Sequence, residues 1–306
     1  MYRFVKGGCP LEKTLQYTVP AAFDGDTVQN FLRRGCGLSW RMVVRLKHAE
    51  NGIVVDGAHA RSIDRVRAGQ VVTLTMPEEQ VKIEGVPMPL QVVYEDEYLL
   101  VVNKPPYLAV HPSAGKPEPT LANGVVAYYE SRGVSHSFRP VNRLDRNTSG
   151  LLLAGKNPHV VFALAGNVKK EYRAIVLGTV PASGTVDAPI RVKEGCTITR
   201  EVGDGGKPSV THYEVLASDR ELSYLRVWLE TGRTHQIRVH LLSIGFPLAG
   251  DTMYGTDETV MPRHALHCGK MEFIHPITGE TVAVKAPLPD DMQAVLKKHG
   301  FSDENP

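Results

Sequence analysis

A polar, turn-rich segment runs directly into a block of leucines in residues 139–157, whose sequence is R-P-V-N-R-L-D-R-N-T-S-G-L-L-L-A-G-K-N. The leucine block begins after Gly150, and this pattern predicts a loop that leads into a short buried strand. Within the loop, Asp145 lies between Arg143 and Arg146, and nearby positive charge favours the ionised form of a carboxylate. Such a carboxylate can act as a nucleophile or a base, or it can form one half of a structural ion pair.

The composition is that of an ordinary globular protein. Hydrophobic residues make up 42% of the 306 residues and charged residues 22%, which excludes a disordered chain. No apolar run approaches the roughly 20 residues needed to cross a bilayer, and the N-terminus has no long apolar segment typical of a secretory signal. We therefore expect a cytoplasmic protein that does not associate with membranes.

Cysteine and histidine spacing indicates no metal site. The four cysteines are far apart and form no C-x-x-C pair, which argues against a zinc site made of cysteines and against a disulfide framework. They are Cys9, Cys36, Cys196 and Cys268. His235, His240 and His267 are not part of a metal motif completed by a carboxylate. We expect no metal and no other cofactor.

Charge is unevenly distributed along the chain. Residues 1–76 carry 11 Lys/Arg and 6 Asp/Glu, a net charge of +5, whereas the other residues carry a net charge of −3. A basic N-terminal piece on a near-neutral body is typical of an appended polyanion-binding module, although a chance imbalance would give the same numbers. The predicted organisation is a lead-in at 1–21, a small domain at 22–76, a proline-containing linker at 77–90 and a large domain at 91–306.

Residues 22–76 are predicted to form two short helices followed by a small β-element. Asp26 or Thr27 can cap the first helix, and Ser39 can cap the second. Two strands are expected at Ile53–Val55 and Val71–Leu74. The apolar positions that should be buried on the two helices are Val28, Phe31, Leu32, Met42, Val43 and Leu46.

This arrangement resembles the S-four type RNA-binding domain, named after a small-subunit ribosomal protein. The matching stretches are T-V-Q-N-F-L-R-R, L-S-W-R-M-V-V-R-L-K, I-V-V-D-G and R-A-G-Q-V-V-T-L. The resemblance implies that five cations contact RNA phosphates, namely Arg33, Arg34, Arg41, Arg45 and Lys47. The alternative is that these cations form only a solvated helix face.

The large domain alternates long strand-like runs with a few helices, and this pattern predicts an α+β fold. Strands are expected at 92–94, 99–102, 151–153, 172–177, 212–216, 223–229, 271–274 and 281–285. Helices are expected from Thr120 to about Tyr129, from Pro158 to about Val168, from Thr234 to Ile244 and from Pro289 to Lys298. In the third of these helices, Ile237, Val239, Leu241 and Leu242 should be partly buried, and His235 and Arg238 should share one face.

Three further stretches accompany the Asp145 loop. They are K-E-Y-R-A at 170–174, T-G-R-T-H-Q-I-R-V-H at 231–240 and G-D-T-M-Y-G at 250–255. Together with N-R-L-D-R-N-T-S-G-L-L-L and V-V-N-K-P, these ordered motifs resemble the RluA/RluD family of RNA pseudouridine synthases from about Val93 to Leu288. The resemblance implies a largely antiparallel sheet with Asp145 in a cleft across it, an α/β RNA-binding module in front, and an isomerase acting on RNA.

The family's chemistry detaches uracil from its sugar, turns the ring and rejoins it through carbon 5, without redox chemistry. By resemblance, Asp145 is the catalytic carboxylate, which either attacks the anomeric carbon or removes a sugar proton. Because the target base must leave its stack, Arg143 is expected to fill the vacated space. Tyr172 would stack on the uracil and could serve in proton transfer, and Arg238 would pair with Asp145. The remaining substrate contacts implied are Leu144, Arg233, His235 and Ile237.

One position departs from the family pattern. Asn142 stands where the family often has His, and Asn keeps a hydrogen-bonding side chain without titrating near neutral pH. Because the implied mechanism does not require an acid or base there, we expect Asn142 to position the loop.

The predicted substrate is structured RNA, ribosomal RNA of the large subunit first and transfer RNA as the alternative, with no obligate protein partner evident. Two other functions stay open at this point. A non-catalytic RNA-binding or ribosome-assembly factor would bind RNA with strong salt dependence. A nucleoside hydrolase would need a second carboxylate to activate water, and the motifs offer no evident one.

Overall fold

The computed structural model describes residues 14–38, 40–75, 83–112 and 119–303. Within these ranges no helix is long and apolar enough to cross a bilayer.

Residues 14–75 form a small unit around their own apolar core. Its strands are β1 (Thr14–Thr18), β2 (Ile53–Val55), β3 (Ala58–His59) and β4 (Val71–Thr75), in the antiparallel order β1-β4-β2-β3. Its helices are α1 (Val28–Asn30), continued by a π-helical turn at Phe31–Gly35, and α2 (Trp40–His48). A 3-10 turn lies at Ala21–Phe23. All six apolar helix positions expected to be buried are buried.

The start of this unit differs from the sequence prediction. Residues 14–18, expected to belong to a lead-in, pair with β4 from Thr14↔Thr75 to Thr18↔Val71. Thr27 caps the first helix by accepting a hydrogen bond from the Asn30 backbone at 3.2 Å. The predicted cap Ser39, the Arg41 side chain and residues 1–13 lie outside the described part of the chain.

The second half of the expected linker packs on the large domain. Residues 83–90 form no helix or strand, but the Val86 N–H donates to the Asn123 carbonyl and Asn123 donates to the Glu84 carbonyl. Ile83 and Leu90 contact the large core. This part of the chain is therefore fixed to the large domain, while residues 77–82 are not described.

A nine-stranded sheet dominates the large domain, in the order β5-β6-β7-β14-β8-β13-β12-β9 with β15 beside β14. Its strands are β5 (Gln91–Glu95), β6 (Leu99–Lys104), β7 (Ser149–Gly155), β8 (Val168–Leu177), β9 (Gly184–Asp187), β12 (Val210–Ser218), β13 (Leu222–Leu229), β14 (Leu266–Ile274) and β15 (Thr281–Lys285). A separate hairpin consists of β10 (Ile190–Val192) and β11 (Arg200–Val202). The helices are α3 (Leu121–Glu130), α4 (Pro158–Leu164), α5 (Gln236–Ser243) and α6 (Asp290–Lys298), with a 3-10 turn at Thr252–Tyr254.

The predicted α+β class with a mixed, largely antiparallel sheet is confirmed. Among the described strands of this sheet, only β7 and β14 pair in parallel, through His267↔Ser149 and Cys268↔Gly150. Gly150 has φ +110°, and a Cβ there would lie 2.3 Å from the Cys268 carbonyl oxygen. Only glycine allows the two backbones to approach this closely, so the residue that ends the Asp145 loop also permits closure of the sheet.

Two helix boundaries differ from the prediction. The helix expected to reach Val168 ends at Leu164, because Gly166 adopts φ +82° and turns the chain into β8. The helix expected from Thr234 begins at Gln236, and His235 precedes it in a left-handed conformation. Leu242, expected to be partly buried, is 37% exposed.

Candidate active site

One pocket brings together all eight residues that the sequence analysis assigned to catalysis and substrate binding in the large domain. They come from the loop before β7, from β8, and from α5 and the turn that leads into it. They are Arg143, Leu144, Asp145, Tyr172, Arg233, His235, Ile237 and Arg238. Thr148, Leu229, Gln236 and Leu266 also line the pocket, and none of these four was predicted from the sequence.

A buried arginine connects two carboxylates at the base of the pocket. Arg238 Nη1 donates to Asp145 Oδ2 at 3.0 Å, as predicted. The same guanidinium binds Asp251 with two hydrogen bonds, from Nε at 2.8 Å and Nη2 at 2.7 Å. Burial acts against the charged form of Arg238, but the hydrogen bonds to Asp251 raise its pKa. This bidentate geometry fixes the guanidinium in place before it meets Asp145.

The two carboxylates differ in accessibility. The Asp145 side chain is 28% exposed, whereas the Asp251 side chain is 2% exposed. Among the described residues, no group donates a hydrogen bond to Asp145 Oδ1, while both Asp251 oxygens are bound by Arg238. Asp145 therefore presents an oxygen to the pocket, and Asp251 acts only as the anchor of Arg238.

The guanidinium partner of Asp145 is not one of its neighbours in sequence. Arg146 turns away, and its Nε donates to the Tyr107 carbonyl at 3.2 Å. Arg143 is exposed on the pocket lining. The expectation that Asp145 is held between Arg143 and Arg146 is therefore wrong, because adjacent residues in this loop point in different directions.

His235 lies beside Asp145 although it is not part of the helix. Its backbone adopts φ +57° as the residue before α5, and its Nε2 is 3.8 Å from Asp145 Oδ2. The prediction that His235 and Arg238 share one helical face is wrong, and the left-handed turn is what brings the imidazole to the carboxylate. Burial lowers the pKa of His235, so the ring is neutral near pH 7.

Tyr254 sets the orientation of this imidazole. The Tyr254 hydroxyl accepts a hydrogen bond from the Arg200 backbone N–H at 3.0 Å and lies 2.8 Å from His235 Nδ1. If the hydroxyl donates its own proton to Nδ1, the ring proton is on Nε2 and faces Asp145. The Arg238 guanidinium also lies over the Tyr254 ring at 4.9 Å. Tyr254 thus connects the β10–β11 hairpin to the site.

Tyr172 forms the apolar wall of the pocket. It lies on β8 between Val227 of β13 and Cys268 of β14 and is 6% exposed. Burial raises the pKa of its hydroxyl well above the usual value, so the phenol stays protonated. This favours the predicted stacking role of the ring over a role as a base.

Two fully buried cations hold the backbone that follows Asp145. Lys104 Nζ donates to the carbonyls of Pro105, Leu108 and Arg146 at 2.8–3.0 Å. Arg263 Nη1 donates to the Asn147 carbonyl at 2.9 Å. Burial lowers the pKa of Lys104 to about 7. Two consecutive carbonyls are therefore each held by a buried side chain, which rigidifies the loop that carries Asp145.

The other end of Arg263 is anchored on the last helix. Its Nε and Nη2 donate to the two oxygens of Asp291 in α6, at 2.6 and 2.9 Å. Neither Arg263 nor Lys104 lines the pocket. Both act on the site through backbone carbonyls, and neither was predicted from the sequence.

Polar side chains also hold the remaining segments of the pocket. Asn142 donates to the Leu151 carbonyl at 3.2 Å and accepts from the Leu153 N–H at 2.8 Å, which agrees with the predicted positioning role. Gln236 accepts from the Arg233 N–H and donates to the Val210 carbonyl, each at 2.9 Å. Asn142 pairs with backbone, and Gln236 pairs with backbone and with the hydroxyls of Thr231 and Thr211, so both side chains fix loops of the site.

The other histidines of the motifs are used structurally. His240 contacts Thr211 Oγ1 at 2.9 Å and the Ala188 carbonyl at 3.0 Å, and His267 contacts Ser149 Oγ at 3.0 Å. Among the described residues, no group of His, Cys, Asp and Glu is arranged to hold a metal ion.

Comparison with known proteins gives a consistent result. The family model for RNA pseudouridylate synthases matches residues 98–243. RNA pseudouridine synthase YjbO of Bacillus subtilis is 39% identical over 269 residues, covering 85% of this chain and 95% of YjbO. Ribosomal large subunit pseudouridine synthase D of Nitrosomonas europaea is 36% identical over 302 residues, covering 94% and 88%.

A solved structure has the same fold. Human RNA pseudouridylate synthase domain containing 1 superposes with a TM-score of 0.54 at 27% identity, covering 72% of this chain and 90% of the human chain. The matched family segment contains Asp145, Tyr172, His235 and Arg238. The chain belongs to the RluA/RluD family of RNA pseudouridine synthases, and it is an isomerase that converts uridine in RNA to pseudouridine.

Proposed function

We propose that this enzyme modifies large-subunit ribosomal RNA and that Asp145 is its catalytic carboxylate. The observation that carries the catalytic assignment is the asymmetric pair of carboxylates on Arg238. Asp145 has an oxygen open to the pocket, whereas Asp251 is fully engaged by Arg238. The RNA class is supported by relatives such as the Nitrosomonas europaea enzyme, which is named for the large ribosomal subunit. Transfer RNA is the alternative substrate, and we place the reaction in the cytoplasm.

Isomerisation breaks the bond between C1′ and N1 of uridine and forms one between C1′ and C5. The proton on C5 leaves to solvent and N1 gains a proton, so no oxidant or reductant is needed. An ionised Asp145 either attacks C1′ or removes a sugar proton to start the first step. In both routes the guanidinium of Arg238 holds the carboxylate in position through the 3.0 Å hydrogen bond to Oδ2.

The pocket accepts a base that has left its stack. The Tyr172 ring offers a buried aromatic face, and base–aromatic stacking contributes roughly 1–3 kcal/mol. Arg143 is exposed at the pocket, and its guanidinium would fill the space that the extruded uridine vacates. Leu144 and Ile237 are buried beside Asp145 and exclude water from the glycosidic bond. Arg233 and His235 would contact the RNA around the sugar.

Residues 14–75 would increase affinity for RNA without taking part in the chemistry. Arg33, Arg34, Arg45 and Lys47 are exposed on this unit, as a phosphate-contacting surface requires. Its small sheet and basic helices agree with the resemblance to the S-four type RNA-binding domain.

The buried state of Asp251 argues against the hydrolase alternative. A hydrolase needs a second carboxylate that can activate water. Asp251 is the other carboxylate on Arg238, but it is 2% exposed and bound through both oxygens. We therefore expect isomerisation without release of free uracil.

Tritium release from ribosomal RNA labelled at uridine C5 tests both parts of the proposal. Wild type should release tritium without free uracil, and Asp145→Asn should lose roughly 10⁴-fold or more of the rate, as expected when a nucleophile or base is removed. Asn keeps an oxygen that accepts from Arg238, so folding should be preserved.

Asp204→Asn is the matched control, because Asp204 is exposed and distant from the pocket residues in sequence. It should retain full activity. Tritium release by Asp145→Asn at the wild-type rate would refute the catalytic assignment. Release from labelled transfer RNA but not from large-subunit ribosomal RNA would refute the proposed substrate class.

A further inference from the structure

Tyr107 has an unusual backbone conformation for a bulky residue. Among the described residues, four non-glycines have positive φ, namely Asn51, Asp56, Tyr107 and His235, with Tyr107 at +63°. Asn and Asp adopt this region several-fold more often than most residues, whereas a large side chain there is strained. Strain of this kind persists where the surrounding structure or function requires it. Tyr107 is therefore a candidate for a functional role.

Burial of the ring does not provide that explanation. Tyr107 is a large aromatic residue, yet 48% of it is exposed. Its hydroxyl approaches the Pro262 carbonyl at 3.4 Å, a long hydrogen bond at an exposed position. A half-exposed tyrosine gains only part of the hydrophobic stabilisation of a buried one, so neither full burial nor a strong hydrogen bond accounts for the residue.

The backbone around Tyr107 is fixed to the loop that carries Asp145. Lys104 Nζ donates to the carbonyls of Pro105 and Leu108, which flank Tyr107, and also to the Arg146 carbonyl. Arg146 Nε in turn donates to the Tyr107 carbonyl at 3.2 Å. The turn at residues 105–108 and the residue after Asp145 therefore form one rigid unit, and this unit carries the half-exposed aromatic ring of Tyr107.

We propose that Tyr107 is a stacking platform for an unpaired nucleotide that flanks the target uridine; this rests on the proposed role of Asp145. Arg143 would fill the single position that the extruded base vacates, and the unpaired nucleotides around it still present base faces that Arg143 does not cover. An exposed aromatic ring held next to the catalytic loop supplies a stacking partner for such a face, and stacking of this kind tolerates any base because every base has a π-face. The left-handed turn at Tyr107 leaves about half of the residue exposed beside the loop that carries Asp145.

The alternative is that Tyr107 tethers its turn to Pro262 through the hydroxyl. Three substitutions separate the two roles. Tyr107→Phe keeps the ring and removes the tether. Tyr107→Gly and Tyr107→Asn remove the ring and suit the left-handed backbone, so neither should unfold the protein.

Steady-state tritium release from C5-labelled, in vitro transcribed large-subunit ribosomal RNA is the measurement, with thermal unfolding in parallel. For Tyr107→Gly and Tyr107→Asn we expect KM to rise roughly 10-fold, as the loss of one stacked base predicts. At saturating RNA, kcat should remain within about 2-fold of wild type, and Tm should be equal or higher because the strain is relieved. Tyr107→Phe should keep the wild-type KM.

A wild-type KM in Tyr107→Gly would overturn the platform, and so would a Tyr107→Phe variant that loses as much affinity as Tyr107→Gly. A large fall in Tm for Tyr107→Gly would also overturn it in favour of a structural role. Failure of the platform is distinguishable from failure of the catalytic assignment, because Asp145→Asn affects kcat in the same assay whatever Tyr107 does.

Discussion

The two halves of the molecule use cationic side chains in opposite ways. In the large domain, Lys104, Arg238 and Arg263 are buried, and each is bound by defined acceptors that connect separate segments of the chain. In residues 14–75, Arg33 and Arg34 are exposed on a helix end. Buried cations fix geometry, because every donor must find a partner, whereas exposed cations provide a diffuse positive potential. The large domain therefore depends on the exact geometry of its cationic side chains, whereas the N-terminal unit depends mainly on how many cationic side chains it carries.

An identical substitution in each half should sharpen this contrast. Arg238→Lys keeps the charge but cannot bind both Asp251 oxygens and Asp145 at once. We expect a loss of roughly 2–4 kcal/mol in the free energy of unfolding, together with a fall in kcat of about 100-fold or more because Asp145 loses its fixed partner. Urea unfolding and tritium release measure the two effects.

Arg34→Lys is the matched control in the N-terminal unit. It should change the free energy of unfolding by less than about 0.5 kcal/mol and leave kcat unchanged. Equal losses in the two variants would mean that the contrast between buried and exposed cations is wrong.

Acid should destabilise the large domain before the N-terminal unit. Burial lowers the pKa of His264 to about 2 and that of His267 to about 4, whereas an unfolded histidine has a pKa of about 6.5. Below pH 6.5 the unfolded chain binds protons that the folded chain excludes, so stability falls as pH falls. Each of the two histidines should remove about 1.4 kcal/mol per pH unit, down to the folded pKa.

Urea unfolding at pH 7.5 and 5.5 measures this effect. His264→Gln keeps a hydrogen-bonding group for Thr148, which lies 2.7 Å from His264 Nε2, and it should show a shallower loss between the two pH values. His59→Gln, at an exposed position of the N-terminal unit, should lose as much as wild type. The same pH dependence in both variants would contradict the burial argument.

The smallest effects are expected from the exposed cations of the N-terminal unit. The triple variant with Gln at Arg33, Arg34 and Lys47 should raise KM several-fold without changing kcat or Tm. The slope of log KM against log salt should fall by about 0.7 for each lost contact to single-stranded RNA. KM measured from 50 to 300 mM salt checks this, and an unchanged slope would refute the RNA-binding role of the unit.

The apolar elements of the fold were predictable because the pattern of apolar residues in the sequence indicates which positions are buried. The leucines of β7 and the apolar run of β6 are fully buried, and both strands were expected from the sequence. The hairpin β10–β11 and the strand β9 were not expected. These segments are short and half polar, so they lack the alternation that signals a strand.

The site was predictable where a side chain lines the pocket and hidden where a side chain acts through the backbone. Asp145, Tyr172 and Arg238 were assigned through the family motifs. Arg263 was missed because its acceptor, the Asn147 carbonyl, is 116 residues away in sequence and no carbonyl has a sequence signature. The left-handed conformation of His235 was missed for a similar reason, since φ is not encoded by residue type except at glycine and a few others.

The position of β14 in the sheet determines how much of the chain must be synthesised and folded before the enzyme can be active. This strand comes late in the chain but lies between β7 and β8, and its His267 meets a serine 118 residues earlier. A growing chain therefore has two unpaired strand edges where the sheet must close, and it lacks Leu266 of the pocket wall and the anchor on Asp291. Such long-range pairing forms slowly, so we expect catalytic competence to arise late, and a translation product that lacks β14 should be unable to carry out the isomerisation even if its N-terminal unit binds RNA.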